Sequence, residues 1–223
     1  MIVCGKLFLE VAAFRGINTA TLDSIRCVYV VPHKESGLLL MAMNGYQMAL
    51  AHDIEADTDG VPEEGIHIKP TAELLKFLRA SKYKPRRFLE ISPDHSHATV
   101  KTFNSDPLYI CPASIVEEHR PVGWNGYLSG IFNSVQEEQQ CRIPQFYPRI
   151  FELLPLNGAD CSKIELYPTT ENGAMLVLMP SRPECIFITM PAKRIDEYDD
   201  DDIDSPKSPL YFARKLFQGM QND

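Results

Sequence analysis

Apolar and polar residues alternate with the two-residue period of half-buried strands in three separate groups along the chain. One group is Arg87 to Pro93, His97 to Thr102 and Leu108 to Pro112; a second is Lys163 to Pro168, Ala174 to Met179 and Cys185 to Pro191. A third, looser group is Arg26 to Pro32, Leu38 to Met43 and Gln47 to His52. In each group the first strand ends at a proline, which has no N–H to give to a sheet ladder and so belongs at a strand's end. Each group predicts a three-stranded antiparallel meander. Before each meander stands a run with helical spacing. Lys6 to Arg15 puts Leu7, Val11 and Phe14 on one face, Thr71 to Ser81 does the same with Leu74 and Leu78, and Phe146 to Leu154 carries Pro148 in its first turn. The predicted unit is one helix followed by three strands, repeated, and the fold class is α+β. Residues 1–115 form one domain of two units. Residues 116–194 hold a linker and a third unit, a partial domain, with Ala113 to Arg142 assigned to no element. Residues 195–223 form an acidic tail that ends in the short amphipathic stretch Leu210 to Phe217.

Charge alters the picture once it is located. The chain carries 22 Lys and Arg against 30 Asp and Glu, a net −8, which taken whole argues against a nucleic-acid partner. Yet Asp196 to Asp204 alone holds seven carboxylates and no base, so the rest of the chain is within one charge of neutrality. Between Lys69 and Arg87 the sign is reversed: Lys69, Lys76, Arg79, Lys82, Lys84, Arg86 and Arg87 face a single acid, Glu73. At 100° per residue Lys76 and Arg79 lie opposite Leu74 and Leu78, so packing the apolar face turns these cations outward. Two readings follow, a phosphate-contacting face and a plain solvated helix face.

Hydrophobic content of 44% is that of a folded domain and excludes disordered and collagen-like classes. No run of 18 apolar residues occurs and the first residues lack a signal peptide's pattern, so the expectation is a cytoplasmic protein with no membrane partner. The six cysteines stand far apart without zinc-finger spacing and read as reduced core residues. His95 and His97 lack a third ligand, and Asp199 to Asp202 lacks a calcium loop's glycine and ligand spacing, so no metal is expected. Neither a catalytic motif nor a phosphate-binding glycine loop is present; the expectation is a non-enzyme without cofactor.

Three segments carry a family resemblance. Ala42-Met43-Asn44-Gly45-Tyr46-Gln47-Met48-Ala49 resembles the A-T-D-G-H-R-L-A segment of the bacterial DNA polymerase III β sliding clamp, Ile68 to Leu78 resembles the proline-led start of an inner clamp helix, and Ile188 to Arg194 resembles the V-V-M-P-M-R-L that closes a clamp subunit. The similarity spans roughly residues 3 to 194. It departs at Met43, Asn44, Tyr46, Gln47 and Ala192, and in offering three units where a clamp subunit has six. The resemblance implies a DNA-clamp-like fold, with helices lining a hole for DNA and sheets forming the outer wall. It implies a processivity factor that binds the phosphate backbone of duplex DNA as a homo-oligomer and recruits a DNA polymerase, a clamp loader or other clamp-binding peptides. The DNA-side candidates are Lys76, Arg79, Lys82, Lys84 and Arg86, with Lys6 and Arg15 of the first helix. The peptide-groove candidates are Ile25, Gly45, Tyr46, Met48, Pro121, Met190 and Pro191. The missing units leave an alternative open, a clamp-fold interaction or decoy module that does not encircle DNA. Leu210 to Phe217, with closely spaced Leu and Phe, is a candidate tethered occupant of the groove.

Overall fold

A computed structural model describes residues 1–16, 23–79, 86–103, 106–116, 154, 164–169 and 174–190. In chain order they form β1 (Ile2–Cys4), α1 (Gly5–Ala12), a 3-10 turn (Asp23–Arg26), β2 (Val28–Pro32), β3 (Leu38–Met43), β4 (Gln47–Asp53), β5 (Ile66–Ile68), α2 (Ala72–Leu78), β6 (Arg87–Ile91), β7 (His97–Thr102), β8 (Tyr109–Pro112), β9 (Ile115–Val116), β10 (Glu165–Pro168), β11 (Met175–Leu178) and β12 (Cys185–Thr189). All nine strands of the three predicted meanders are present, and the α+β class holds.

Three short strands, β1, β5 and β9, lack a sequence signal of their own. Two of them change the topology. Each described helix is led by a strand that pairs not with its own meander but with the other one. β1 joins β6 to give the sheet β1-β6-β7-β8, and β5 joins β2 within the sheet β10-β11-β12-β4-β3-β2-β5-β9. A helix plus three strands is therefore an incomplete description of the first two units. Three residues are too few to display a period.

Both helices are shorter than their patterns predict. α2 starts where Thr71 Oγ1 accepts the Leu74 N–H at 3.1 Å, an N-cap, and stops at Leu78 because Arg79 is already extended. The Arg87 guanidinium, reaching from β6, donates to the carbonyls of Phe77 and Arg79 and so satisfies acceptors that the helix end exposes. α1 stops at Ala12, yet Phe14 in the following turn remains fully buried. The predicted helix Phe146 to Leu154 lies outside the described residues except for Leu154, which is buried.

α1 packs against β2, β3 and β4 from one sheet, β6 from the other, and α2. The result is one core in which Phe8, Val11 and Phe14 meet Val30, Leu40 and Ala49 from one sheet and Leu89, Ile91 and Val100 from the other. Each large side chain among them withdrawn from water is worth about 1.5–3 kcal/mol. Contact is close enough that Gly5 has no room for a methyl group, since a Cβ there would sit 2.8 Å from the Arg87 carbonyl oxygen. Cys4, Cys27 and Cys185 are buried and unbridged, and Cys111 is half-buried and free, whereas Cys141 and Cys161 lie outside the described residues.

The third meander continues the first one's sheet. β12 runs antiparallel to β4 with Cys185 opposite Ala51 and Thr189 opposite Gln47. Inward-facing Phe187 packs at a tilt against Phe14 with ring centroids 5.3 Å apart, which ties the third meander to the core around α1.

Candidate functional site

The outer face of that seam is built from the β3–β4 hairpin. Asn44 Oδ1 accepts the N–H groups of Tyr46 (3.0 Å) and Gln47 (2.9 Å), and the Asn44 N–H donates to the Gln47 carbonyl at 3.1 Å. Gly45 has φ +92 at the first central position while Tyr46 keeps a negative φ, the signature of a type II′ two-residue turn that favours glycine there. Space around Gly45 is open: a methyl group placed on it would meet no atom within 4 Å, so another backbone can approach. Tyr46 stands 56% exposed at the tip.

β12 brings the second half of the site. Its register sets Ile188 opposite Met48, and the Met190 N–H then donates to the Tyr46 carbonyl at 2.6 Å. Two segments more than 140 residues apart in sequence are thus fastened side by side. Because alternate strand residues face opposite ways, Met48, Leu176 and Ile188 share the outer face and form a second apolar cluster, separate from the main core, with Ala174. Met43, Tyr167, Leu178, Ile186 and Met190 pack partly buried around it. Met48 and Ile188 are buried, Met190 is half-buried and Tyr46 is exposed. Ile25 lies half-buried in the 3-10 turn, whose principal contacts are with β2 and β3. Pro121 and Pro191 lie outside the described residues.

A buried ion-pair network supports the seam from behind. Arg182, in the β11–β12 turn, donates Nη1 to Glu10 Oε1 (3.1 Å) and Nη2 to Glu10 Oε2 (2.7 Å) on α1, a two-pronged contact, while its Nε donates to Glu184 Oε1 at 2.5 Å. Burial alone would lower the Arg182 pKa, but the two carboxylates outweigh it and hold the value above that of free arginine. Glu184 feels burial in the opposite sense, and its bond from Arg182 brings its pKa below the ordinary glutamate range. Burial raises the neighbouring Cys185 thiol to about 12, so it stays protonated and inert near neutrality. Sequence reading misses this network. Arg182 and Glu10 lie in different predicted units, and only the β12–β4 register brings them together.

The basic candidates divide. Lys6 on α1 and Lys76 and Arg79 at α2 are exposed, and among the described residues none of them has an ion-pair or hydrogen-bond acceptor for its side chain. Arg86 is exposed but engaged: its Nε donates to Cys4 Sγ (3.4 Å), its Nη1 meets Glu55 at 3.4 Å, and its guanidinium lies over the Phe88 ring at 5.3 Å. Arg15 is half-buried and folds back to donate to the Ala12 carbonyl at 2.7 Å; burial lowers its pKa. Lys82 and Lys84 lie outside the described residues.

Two further features are placed. A concavity of about 710 Å³ between β1, the turn after β4 and the β6–β7 pair is lined by Asp53, Glu55 and Asp57 against Arg86 and Lys101, a nearly balanced set that includes no groove residue. Asp94 to Ser96 lie in the β6–β7 turn, and His97 opens β7. Hydroxyls of Ser92 and Ser96 hold the Asp94 carboxyl at about 2, and His95 Nε2 bonds to the Gly60 carbonyl oxygen. Among the described residues no group of three or more His, Cys, Asp or Glu is arranged to hold a metal, and no helix is long and apolar enough to cross a membrane.

No family model matches the chain, and no curated protein matches its sequence. Solved structures match its fold. The DNA polymerase III subunit beta of Borrelia burgdorferi, solved in complex with a natural product, aligns over 87% of this chain and 64% of its own with a TM-score of 0.57 and 13% identity. The sliding clamp of Bartonella birtlesii, bound to griselimycin, aligns over 86% and 65% with a TM-score of 0.56 and 14% identity, and that of Bacillus subtilis over 86% and 64% with 0.51 and 14%. The chain therefore spans just under two thirds of the length of these clamps. At such identities the likeness is one of fold, and its fold is that of the bacterial β sliding clamps.

Proposed function

We propose that this chain, with a fold shared by bacterial DNA polymerase III β clamps, is a non-enzymatic clamp-like factor. Its oligomer presents α1 and α2 to duplex DNA, and its Tyr46–Met190 groove recruits replication or repair proteins in the cytoplasm. Residues 1–115 act as one clamp domain and 116–194 as a reduced second one. The observation that carries the reading is the Met190 to Tyr46 hydrogen bond at 2.6 Å, which fastens together the two distant segments assigned to the groove. Its chemistry suits a short apolar peptide: Met and Ile supply an adaptable floor, Gly45 admits the partner's backbone, and Tyr46 offers an exposed aromatic rim. DNA contact is made by Lys76 and Arg79, with Lys6, Lys82, Lys84, Arg86 and Arg15 around them. Only phosphates are touched, so affinity is independent of sequence and falls steeply with salt.

Two measurements test this. Fluorescence anisotropy with a random-sequence duplex should show binding that weakens with salt and is lost in the Lys76→Glu, Arg79→Glu double variant; salt-independent binding or an unaffected double variant refutes the DNA-side assignment. Met48→Asp should abolish binding of a polymerase-derived clamp-binding peptide while leaving duplex affinity in place.

A second reading is a clamp-fold interaction or decoy module that holds replication proteins without encircling DNA. Retention on closed circular but not linear DNA separates the two. The encircling oligomer slides off free ends, and a module that does not encircle treats both DNAs alike.

A further inference from the structure

The acidic run Asp196 to Asp204 lies outside the described residues, and Lys76 and Arg79 have no acid within ion-pair distance among the described ones. Three acidic side chains of the described residues are taken up by other cations, Glu10 by Arg182, Glu55 by Arg86 and Glu90 by Lys101, and Glu73 accepts from the Tyr109 hydroxyl. Lys76 and Arg79 are left exposed with no acid within ion-pair distance among the described residues, and Lys6 is exposed with only the charge of Glu184 acting on it. The same chain holds seven carboxylates in nine residues with no base among them.

We propose that Asp196 to Asp204 docks on the cationic face of α1 and α2 of its own chain, taking the places that DNA phosphates occupy. The inference rests on the DNA-binding reading for its purpose but not for its contact. The tether is short. Met190 is fixed to Tyr46 at the seam, and α1 packs directly against β4 behind it. Asp196 follows Met190 by six residues and Asp204 by fourteen, which extended span at most about 21 and 50 Å. A line of carboxylates on a short tether mimics a phosphate strand in charge while binding as a local, millimolar-range competitor. Non-cognate encounters with isolated phosphates are then disfavoured, and only a long duplex, offering many contacts together, displaces the segment. Affinity for DNA is reduced by the fraction of chains whose face is covered.

The test uses the full chain in two arms. Zero-length carbodiimide crosslinking without DNA should join Lys76 or Lys6 to the Asp196–Asp204 peptide within one chain, at a yield independent of protein concentration and lost in high salt. Absence of that product, or a product that appears only between chains as concentration rises, overturns the docking. In the second arm Asp199, Asp200, Asp201 and Asp202 are replaced by Asn, and binding to a random-sequence duplex is measured at low salt. The expected result is about tenfold tighter binding than the unchanged chain, the gap closing as salt is raised. Equal affinities overturn the competition. Crosslinks in the first arm with no duplex binding by either chain leave the docking in place and remove the DNA reading instead.

Discussion

Arginine and lysine do opposite jobs in two regions of this molecule. At the seam Arg182 is 9% exposed, and its guanidinium is paired with both Glu10 and Glu184. On the helix face Lys76 and Arg79 are exposed with no acidic partner among the described residues. A cation withdrawn from water must be matched or the fold loses several kcal/mol, so Arg182 is part of the architecture. A solvated cation costs nothing to keep unmatched and holds its full charge for a partner. The difference teaches that burial and pairing, rather than residue type, separate the charges that build this protein from those available to a ligand.

The contrast is broken most severely by Glu10→Ala, which leaves the Arg182 charge buried with one carboxylate fewer. Urea unfolding should report a loss of about 3–5 kcal/mol, and Glu10→Met combined with Arg182→Met should recover most of it, because an apolar pair needs no charge matching. Next, Phe187→Ala removes the ring that packs on Phe14 and should cost about 3–5 kcal/mol, and in the same variant Cys185 should become open to alkylation, read by mass spectrometry at mildly alkaline pH. A smaller effect follows from protonation. The folded pKa of Glu184 is depressed, so its contribution is present above the unfolded value near 4.3 and is lost as pH falls through the folded pKa. Melting temperature should fall below about pH 4, and Glu184→Gln should lessen that fall. Smallest of all, Lys76→Glu with Arg79→Glu should shift stability by under about 0.5 kcal/mol in the same urea assay, a change of that kind at exposed positions being nearly neutral.

What the sequence discloses follows from the range of each signal. The nine meander strands and the buried faces of α1 and α2 are legible because period and proline placement are local. The partners Gly45, Tyr46, Met48 and Met190 come from motif resemblance, and β4–β12 pairing brings them together. The exchange of β1 and β5, by contrast, has no local mark, since Ile2–Cys4 and Ile66–Ile68 are too short for a pattern. The Arg182–Glu10 pair is equally silent, because neither residue's neighbours reveal its partner. Arg15 and Arg87 show the limit of reading charge alone: each counts as a cation in sequence, yet one folds onto its own helix end and the other closes α2.

The crossed leading strands also govern the order in which this chain acquires its shape. Ile2 pairs opposite Glu90, so β1 has no partner until β6 has been made, and at some 5–20 residues per second the ribosome keeps it waiting for several seconds. Meanwhile β2, β3 and β4 close through short hairpins, and their sheet extends beyond β2 only when β5 returns to it. Neither half finishes before the other. Folding that depends on such distant pairings is slow, and a growing chain halted before residue 87 retains an unsatisfied strand beside α1, open to a chaperone or to another nascent copy.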